Sequence, residues 1–267
     1  MTDASALLQS LIYTAQRAGG AIMAVYATDF AVRDKADASP VTAADEAAEK
    51  IILADLAAIA PGIPVVAEEA VAAGKVPAIS GNGRSDQFFL VDPLDGTREF
   101  VSRRDEFTVN VALIEAGKPV LGVVFAPARR ELYWGDVRNG KAGHIDADPD
   151  GTMPSMGTAI SARRPPVDGL TAVASRSHRT PETDALLAKY PVKDFRSIGS
   201  SLKFCLVAAG EADLYPRVGT TMEWDTAAGH AVLTAAGGSV ATLDGAPLTY
   251  GKAGFRNPHF IARGRRG

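Results

Sequence analysis

The sequence predicts a layered α/β (α+β) protein of two subdomains, and three observations carry this. Residues 4–27 and 42–60 show helical apolar periods, residues 64–134 read mostly as strands joined by short turns, and beyond 170 strands and helices alternate. Leu7, Leu8, Leu11, Ile12, Ala15, Ala18, Ile22, Met23 and Tyr26 line one face of the first helix. Ala48, Ile51, Ile52, Leu56 and Ile59 repeat the pattern in the second, which Pro61-Gly62 ends.

Strand-like runs follow at 64–67, 87–91, 108–114, 119–125 and 131–134, with Glu115-Ala116-Gly117-Lys118 as a hairpin loop. Residues 70–86 are small and polar and read as a mobile surface loop. Residues 143–169 are rich in Asp, Pro and Gly and mark a change of domain, giving subdomains of 1–155 and 156–267. In the second, strands are expected at 171–174, 194–198, 212–215 and 239–242. Helices are expected at 181–190, with Pro in the first turn, at 200–209, closed by Gly210, and at 225–236, closed by Gly237-Gly238.

Bulk properties exclude several classes. The chain has 267 residues, 46% hydrophobic and 22% charged, enough for a real core. A net charge of −3 gives no reason to expect nucleic acid or an anionic membrane as partner. Arg263, Arg265 and Arg266 read as a frayed, solvated tail. The single cysteine, Cys205, excludes an intramolecular disulfide and reads as a small core residue. No signal peptide or membrane-spanning run is evident, so a reduced cytoplasmic protein is expected. Peripheral attachment at the inner membrane and assembly as a homodimer are both left open.

The chemistry sits in the acids at element ends. Phe88-Phe89-Leu90-Val91 reads as a buried strand that stops at Asp92, with Asp95, Gly96 and Thr97 just beyond. Glu68 and Glu69 follow the strand Val65-Val66-Ala67 in the same way. Carboxylates gathered at one sheet edge repel unless protonated or neutralised, and magnesium is the cation that bridges carboxylates and phosphate. His144, His178, His230 and His259 are scattered and make no zinc set. Asp92 and Asp95 converge if the chain turns at Pro93-Leu94, which frees the Leu94 carbonyl as a further ligand. Two acids also have plain structural readings. Asp45 completes a capping box after Thr42, and Asp225 reads as the N-cap of its helix.

Asp92-Pro93-Leu94-Asp95-Gly96-Thr97 and Trp224-Asp225-Thr226-Ala227-Ala228-Gly229 resemble the paired signatures of the inositol monophosphatase superfamily of magnesium-dependent, lithium-sensitive phosphomonoesterases. Val41-Thr42-Ala43-Ala44-Asp45 and Ala67-Glu68-Glu69 match two further motifs in the same order. Within that superfamily the chain most resembles the bacterial 3′(2′),5′-bisphosphate nucleotidases. The grounds are Thr97-Arg98-Glu99-Phe100, Ala174-Ser175-Arg176-Ser177-His178, Gly199-Ser200-Ser201-Leu202-Lys203 and Leu214-Tyr215-Pro216-Arg217.

The resemblance implies an α-β-α-β-α sandwich. It implies hydrolysis of adenosine 3′,5′-bisphosphate, or its 5′-phosphosulfate analogue, to AMP or the 5′-phosphosulfate. An inositol monophosphatase or a broad sugar phosphatase is the alternative. Carried over residue by residue, Glu68, Asp92, the Leu94 carbonyl, Asp95 and Asp225 would hold two or three magnesium ions. Asp45 and Thr97 would activate water, and the Gly96 and Thr97 N–H groups would hold the phosphate. His178, Ser200, Lys203 and Arg217 are candidates for the second phosphate, with solvated surface charge as the plain reading of Lys203 and Arg217.

Overall fold

The computed structural model describes residues 4–30, 32–34, 40–79, 87–174 and 180–265. Helices α1 (Ala4–Tyr26) and α2 (Ala43–Ile59) open the chain, separated by a two-stranded antiparallel ribbon of β1 (Val32–Asp34) and β2 (Pro40–Thr42). A seven-stranded sheet follows in chain order: β3 (Val65–Ala67), β4 (Gln87–Asp95), β5 (Thr108–Glu115), β6 (Lys118–Ala126), β7 (Glu131–Asp136), β8 (Lys141–Asp146) and β9 (Thr158–Ala159). β3 runs parallel to β4, and every other pair in this sheet is antiparallel. One-turn helices α3 (Glu68–Ala72) and α4 (Thr97–Val101) follow β3 and β4 directly.

The second sheet holds β10 (Leu170–Ala174), β11 (Val192–Ser197), β12 (Leu214–Arg217), β13 (Ser239–Thr242) and β14 (Phe260–Arg263), in the order β11-β10-β12-β14-β13. Helices α6 (Leu202–Ala208) and α7 (Ala227–Ala235) lie between the two sheets, and α5 (Pro181–Leu187) covers the outer face of the second. With α1 and α2 on the outer face of the first, the layers run α-β-α-β-α.

The apolar patterns explain the layering. Phe89, Val91, Val111 and Leu113 face α1 and α2, while Phe88, Leu90, Ala112 and Ile114 face α6 and α7. β4 and β5 are therefore buried on both faces, which is why they read as continuous apolar runs rather than alternating ones. Each fully buried side chain of this size contributes roughly 1.5–3 kcal/mol.

Helix α7 lies unusually close to the sheet. A Cβ on Gly122 of β6 would stand 2.5 Å from the Ala228 carbonyl, and one on Gly135 of β7 would stand 2.6 Å from Val232 Cα. The two glycines and the small residues Ala227, Ala228 and Ala231 let helix and strand backbones meet.

Several expectations need correction. β4 does not stop at Asp92 but continues through Pro93 to Asp95. α7 starts at Ala227 with Thr226 at the cap position, so Asp225 is not its N-cap. α5 ends at Leu187 rather than 190, and α6 begins at Leu202 rather than 200. β8 and β9 extend the first sheet through part of the segment expected to be a domain change. Gly143 and Ala142 give β8 little apolar signal. The ribbon of β1 and β2, the one-turn helices and β14 are too short for periodicity to mark. Arg263 is not in a solvated tail: it lies in β14 and donates to the Tyr190 hydroxyl at 2.8 Å. The loop expected at 70–86 begins instead with α3, and its 80–86 part lies outside the described residues. Cys205 is fully buried in α6, as expected.

The close helix contact gives a stability test. Gly135→Ala is expected to cost about 1–3 kcal/mol through overpacking. Urea unfolding would show a lower midpoint with an unchanged slope.

Candidate active site

The end of β4 is built around a register shift. Asp92 pairs with Asn110 and Asp95 pairs with Thr108, so three steps along β4 match two along β5. Side chains alternate along a regular strand, which would send Asp92 and Asp95 to opposite faces. The one extra residue is a bulge, and it returns both carboxylates to the same face. Asp92 Oδ1 accepts from the Leu94 N–H at 3.0 Å, fixing the bulge from inside. Gly96 then adopts φ 92° and ψ 38°, a left-handed conformation that glycine takes without strain, and the chain turns into α4.

Asp45 serves two neighbours at once. Its Oδ2 accepts from the Thr42 N–H and the Thr42 hydroxyl, each at 2.8 Å, completing the capping box of α2. Its Oδ1 faces the Thr97 hydroxyl at 3.4 Å. The structural and functional readings of Asp45 thus apply to different oxygens of one buried carboxylate. Thr97 Oγ1 also lies 3.2 Å from the Leu94 carbonyl, so its one proton has two acceptors within reach.

Glu68 begins α3, directly after β3, and Asp225 lies two residues ahead of α7. Asp225 Oδ2 accepts from the Met222 N–H at 2.8 Å. Burial raises the Asp225 carboxyl well above its ordinary value, and Asp95 and then Glu68 push it further. Burial likewise lifts Asp95 to about 6. Lys203 pulls it back, Glu99 raises it, and hydrogen bonds from Asn110 and Ser201 lower it. Carboxylates from β4, from α3 and from the approach to α7 therefore crowd one another electrostatically. Among the described residues no three acidic, His or Cys side chains already form a closed cage. The donors present are all hard oxygens, and the crowding favours a cation. Magnesium, which keeps several of its own waters, suits such an open set.

The candidates for a second phosphate lie beside this cluster. Lys203 is 5% exposed, so the solvated reading fails for it. Its Nζ donates to the Ser200 carbonyl at 2.5 Å and sits 5.4 Å from the Tyr215 ring centre. Burial lowers its pKa to about 8, Asp95 works against that, and Arg217 adds to it. Ser200 is held at φ 45°, and its buried hydroxyl has no hydrogen-bond partner. Arg217 Nη2 donates to the Thr220 carbonyl at 3.1 Å, while its buried Nε has no partner. His178 lies outside the described residues.

Asn110 went unread in the sequence, and Ser201 entered only as part of a motif, with no role of its own. Asn110 Nδ2 donates to Ser201 Oγ at 3.0 Å and lies 3.4 Å from Asp95 Oδ2. A lone amide flanked by Val109 and Val111 in an apolar strand was the available signal.

The chain resembles known proteins over nearly its whole length. The model of the inositol monophosphatase family matches residues 3–263. The 3′(2′),5′-bisphosphate nucleotidase CysQ of Salmonella typhimurium is 45% identical over 257 residues, covering 95% of this chain and 98% of that protein. CysQ of Buchnera aphidicola is 38% identical over 268 residues, covering 96% and 93%. The crystal structure of CysQ from Bacteroides thetaiotaomicron superposes with a TM-score of 0.82 at 38% identity and covers 97% of each chain. An inositol monophosphatase from Anabaena gives 0.74 at 25% identity, covering 99% of this chain and 92% of that one.

The raised carboxyl groups predict a pH dependence. Without metal, folded Asp95 keeps its proton up to about pH 6, whereas the unfolded chain releases it near the ordinary value of 3.8. The folded state then binds more protons across that window, so stability falls as pH rises through it. Urea midpoints in EDTA should be lower at pH 8 than at pH 5, and added magnesium should raise the pH 8 value more.

Proposed function

This chain belongs to the inositol monophosphatase family, and we propose that within it the protein is a 3′(2′),5′-bisphosphate nucleotidase. The reaction is hydrolysis of adenosine 3′,5′-bisphosphate to AMP and phosphate. The observation that carries the chemistry is the Asp45–Thr97 contact beside the carboxylates of β4 and the approach to α7. End-to-end likeness to bisphosphate nucleotidases carries the substrate class.

Glu68, Asp92, the Leu94 carbonyl, Asp95 and Asp225 would hold magnesium. When bound, it supplies charge neutralisation for the phosphate and a lowered pKa for coordinated water. The residues of the chain do the rest. The first-turn N–H groups of Gly96 and Thr97 have no intrahelical acceptors and are available to phosphate oxygens. The water that attacks phosphorus gives its proton to the Thr97 hydroxyl, whose own proton passes to Asp45 Oδ1. The capping bonds to Asp45 Oδ2 hold that carboxylate still. The bond from phosphorus to the ribose oxygen breaks, and that oxygen leaves opposite the attacking water and takes a proton from solvent to become the free hydroxyl.

The second phosphate falls to Ser200, Lys203 and Arg217. Support comes from two orphaned donors, Ser200 Oγ and Arg217 Nε, and from two cations close enough to repel each other. An anion between them relieves both conditions. His178 joins this set as a proposal from the sequence alone.

Steady-state assays test the substrate class: adenosine 3′,5′-bisphosphate is expected to be turned over with the higher kcat/KM, and a preference for inositol 1-phosphate would overturn it. Asp45→Asn is expected to lower kcat by about 10²–10⁴-fold. Its unfolding midpoint should stay close to wild type, because an amide oxygen still caps α2. Arg217→Gln is expected to raise KM for the bisphosphate by about 10-fold, the worth of one charge-assisted hydrogen bond. Turnover of a small monoester such as p-nitrophenyl phosphate should be little changed.

A further inference from the structure

Asn110 is 1% exposed and sits in β5 directly opposite Asp92. Its Oδ1 accepts from the Thr108 hydroxyl at 3.1 Å. Its Nδ2 faces Asp95 Oδ2 at 3.4 Å and donates to Ser201 Oγ at 3.0 Å. Ser201, 2% exposed at the cap position of α6, donates to the Asp225 carbonyl at 2.8 Å. One directed chain therefore joins β5 to the residue that precedes α7, and it passes beside Asp95. We propose that Asn110, acting through Ser201, is the positioning residue that fixes Asp95 and Asp225 relative to each other, tying the first sheet to the helical layer beneath it. This rests on the reading of both carboxylates as magnesium ligands.

Donor and acceptor counting shows why an amide is needed. Ser201 has one hydroxyl proton, and both the Asp225 carbonyl and the Asp95 carboxylate are acceptors. Its lone pair must therefore receive a hydrogen from Asn110. Thr108 supplies the opposite need, a donor to Oδ1. A carboxylate at position 110 satisfies Thr108 but presents only acceptors to Ser201 and Asp95. A leucine keeps the branched shape but removes the acceptor for the Thr108 hydroxyl, the donor to Ser201 Oγ and the N–H beside Asp95. Glutamine adds a methylene to a fully packed position.

The arrangement is tested by calorimetric titration of magnesium into metal-free protein, for wild type, Asn110→Leu, Ser201→Ala and the double variant. Loss of a residue that orients a metal ligand costs about 10–100-fold in metal affinity. Asn110→Leu and Ser201→Ala are each expected to weaken magnesium binding by about that factor. The double variant should be no weaker than the worse single one, because both cut the same chain. Circular dichroism in EDTA should match wild type throughout. Magnesium affinity within twofold of wild type in Asn110→Leu, or losses that multiply in the double variant, would overturn the positioning role. If Asn110→Leu does not fold, Ser201→Ala decides by the same twofold criterion. Failure of wild type to bind magnesium would instead overturn the metal reading, and the positioning role with it.

Discussion

Helix α7 rests on the bare backbone of β6 and β7, and the geometry of the site depends on that approach. Gly122 and Gly135 leave no side chain between helix and sheet, and Gly229 on another face seats the Phe204 ring of α6. Asp225 lies two residues before α7, so the depth of the helix sets how far that carboxylate stands from the end of β4. Displacing a reacting or liganding group by about 1 Å from a mutation elsewhere is enough to cost large factors in rate. Small residues along α7 are thus as much part of the site as the acids. They convert a packing contact in the middle layer into a position for Asp225.

The second constraint is charge. A fold that gathers Glu68, Asp95 and Asp225 raises two of their pKa values, and in the absence of a cation it is less stable at neutral pH than it would otherwise be. The frame around them is correspondingly well satisfied. The bulge in β4 is held by Asp92 and Leu94, Asp45 is held by Thr42, and Asn110 is held by Thr108. Hydrogen bonds that stabilise the frame leave Asp95 and Asp225 to repel each other. That is the arrangement expected where stability is exchanged for a preorganised site.

A layered α/β class was legible because the long elements carry strong patterns, α1 and α2 through their apolar stripes and β4 and β5 through unbroken apolar runs, whereas the five-layer order came from the resemblance alone. Asp92 and Asp95 stood out because acids at the end of an apolar run break its pattern, whereas Asp45, Thr97 and Asp225 took a site role only from the motifs they belong to. The manner of convergence was not legible. A turn at Pro93-Leu94 was expected, whereas a continuing strand with one extra residue achieves the same result, and pairing register is a property of two strands that one strand's sequence does not contain. Asn110 was hidden for the same reason. Its partners come from β4, β5 and the cap of α6, so its importance exists only after β4 has paired with β5 and α6 has packed on the first sheet. Surface charge was the plain reading of Lys203, a candidate for the second phosphate, because its burial depends on packing against Tyr215 and on the local turn at Ser200.

Two unfavourable features of opposite sign lie side by side in this protein. On one side are carboxylates lifted by burial and mutual repulsion. On the other are Lys203, depressed by burial and by Arg217, and two buried donors without partners. The halves already interact, since Lys203 lowers Asp95 and Arg217 lowers Asp225. A cation alone would settle the acids but add repulsion toward Lys203 and Arg217. A phosphate alone would settle the bases and the orphaned donors but worsen the crowding at Asp95 and Asp225. Bound together, each removes the penalty the other creates. Under the nucleotidase reading, cation and bisphosphate are therefore thermodynamically linked ligands. Ser200, strained at φ 45° with its carbonyl tied to Lys203, stands at the seam where that linkage is made.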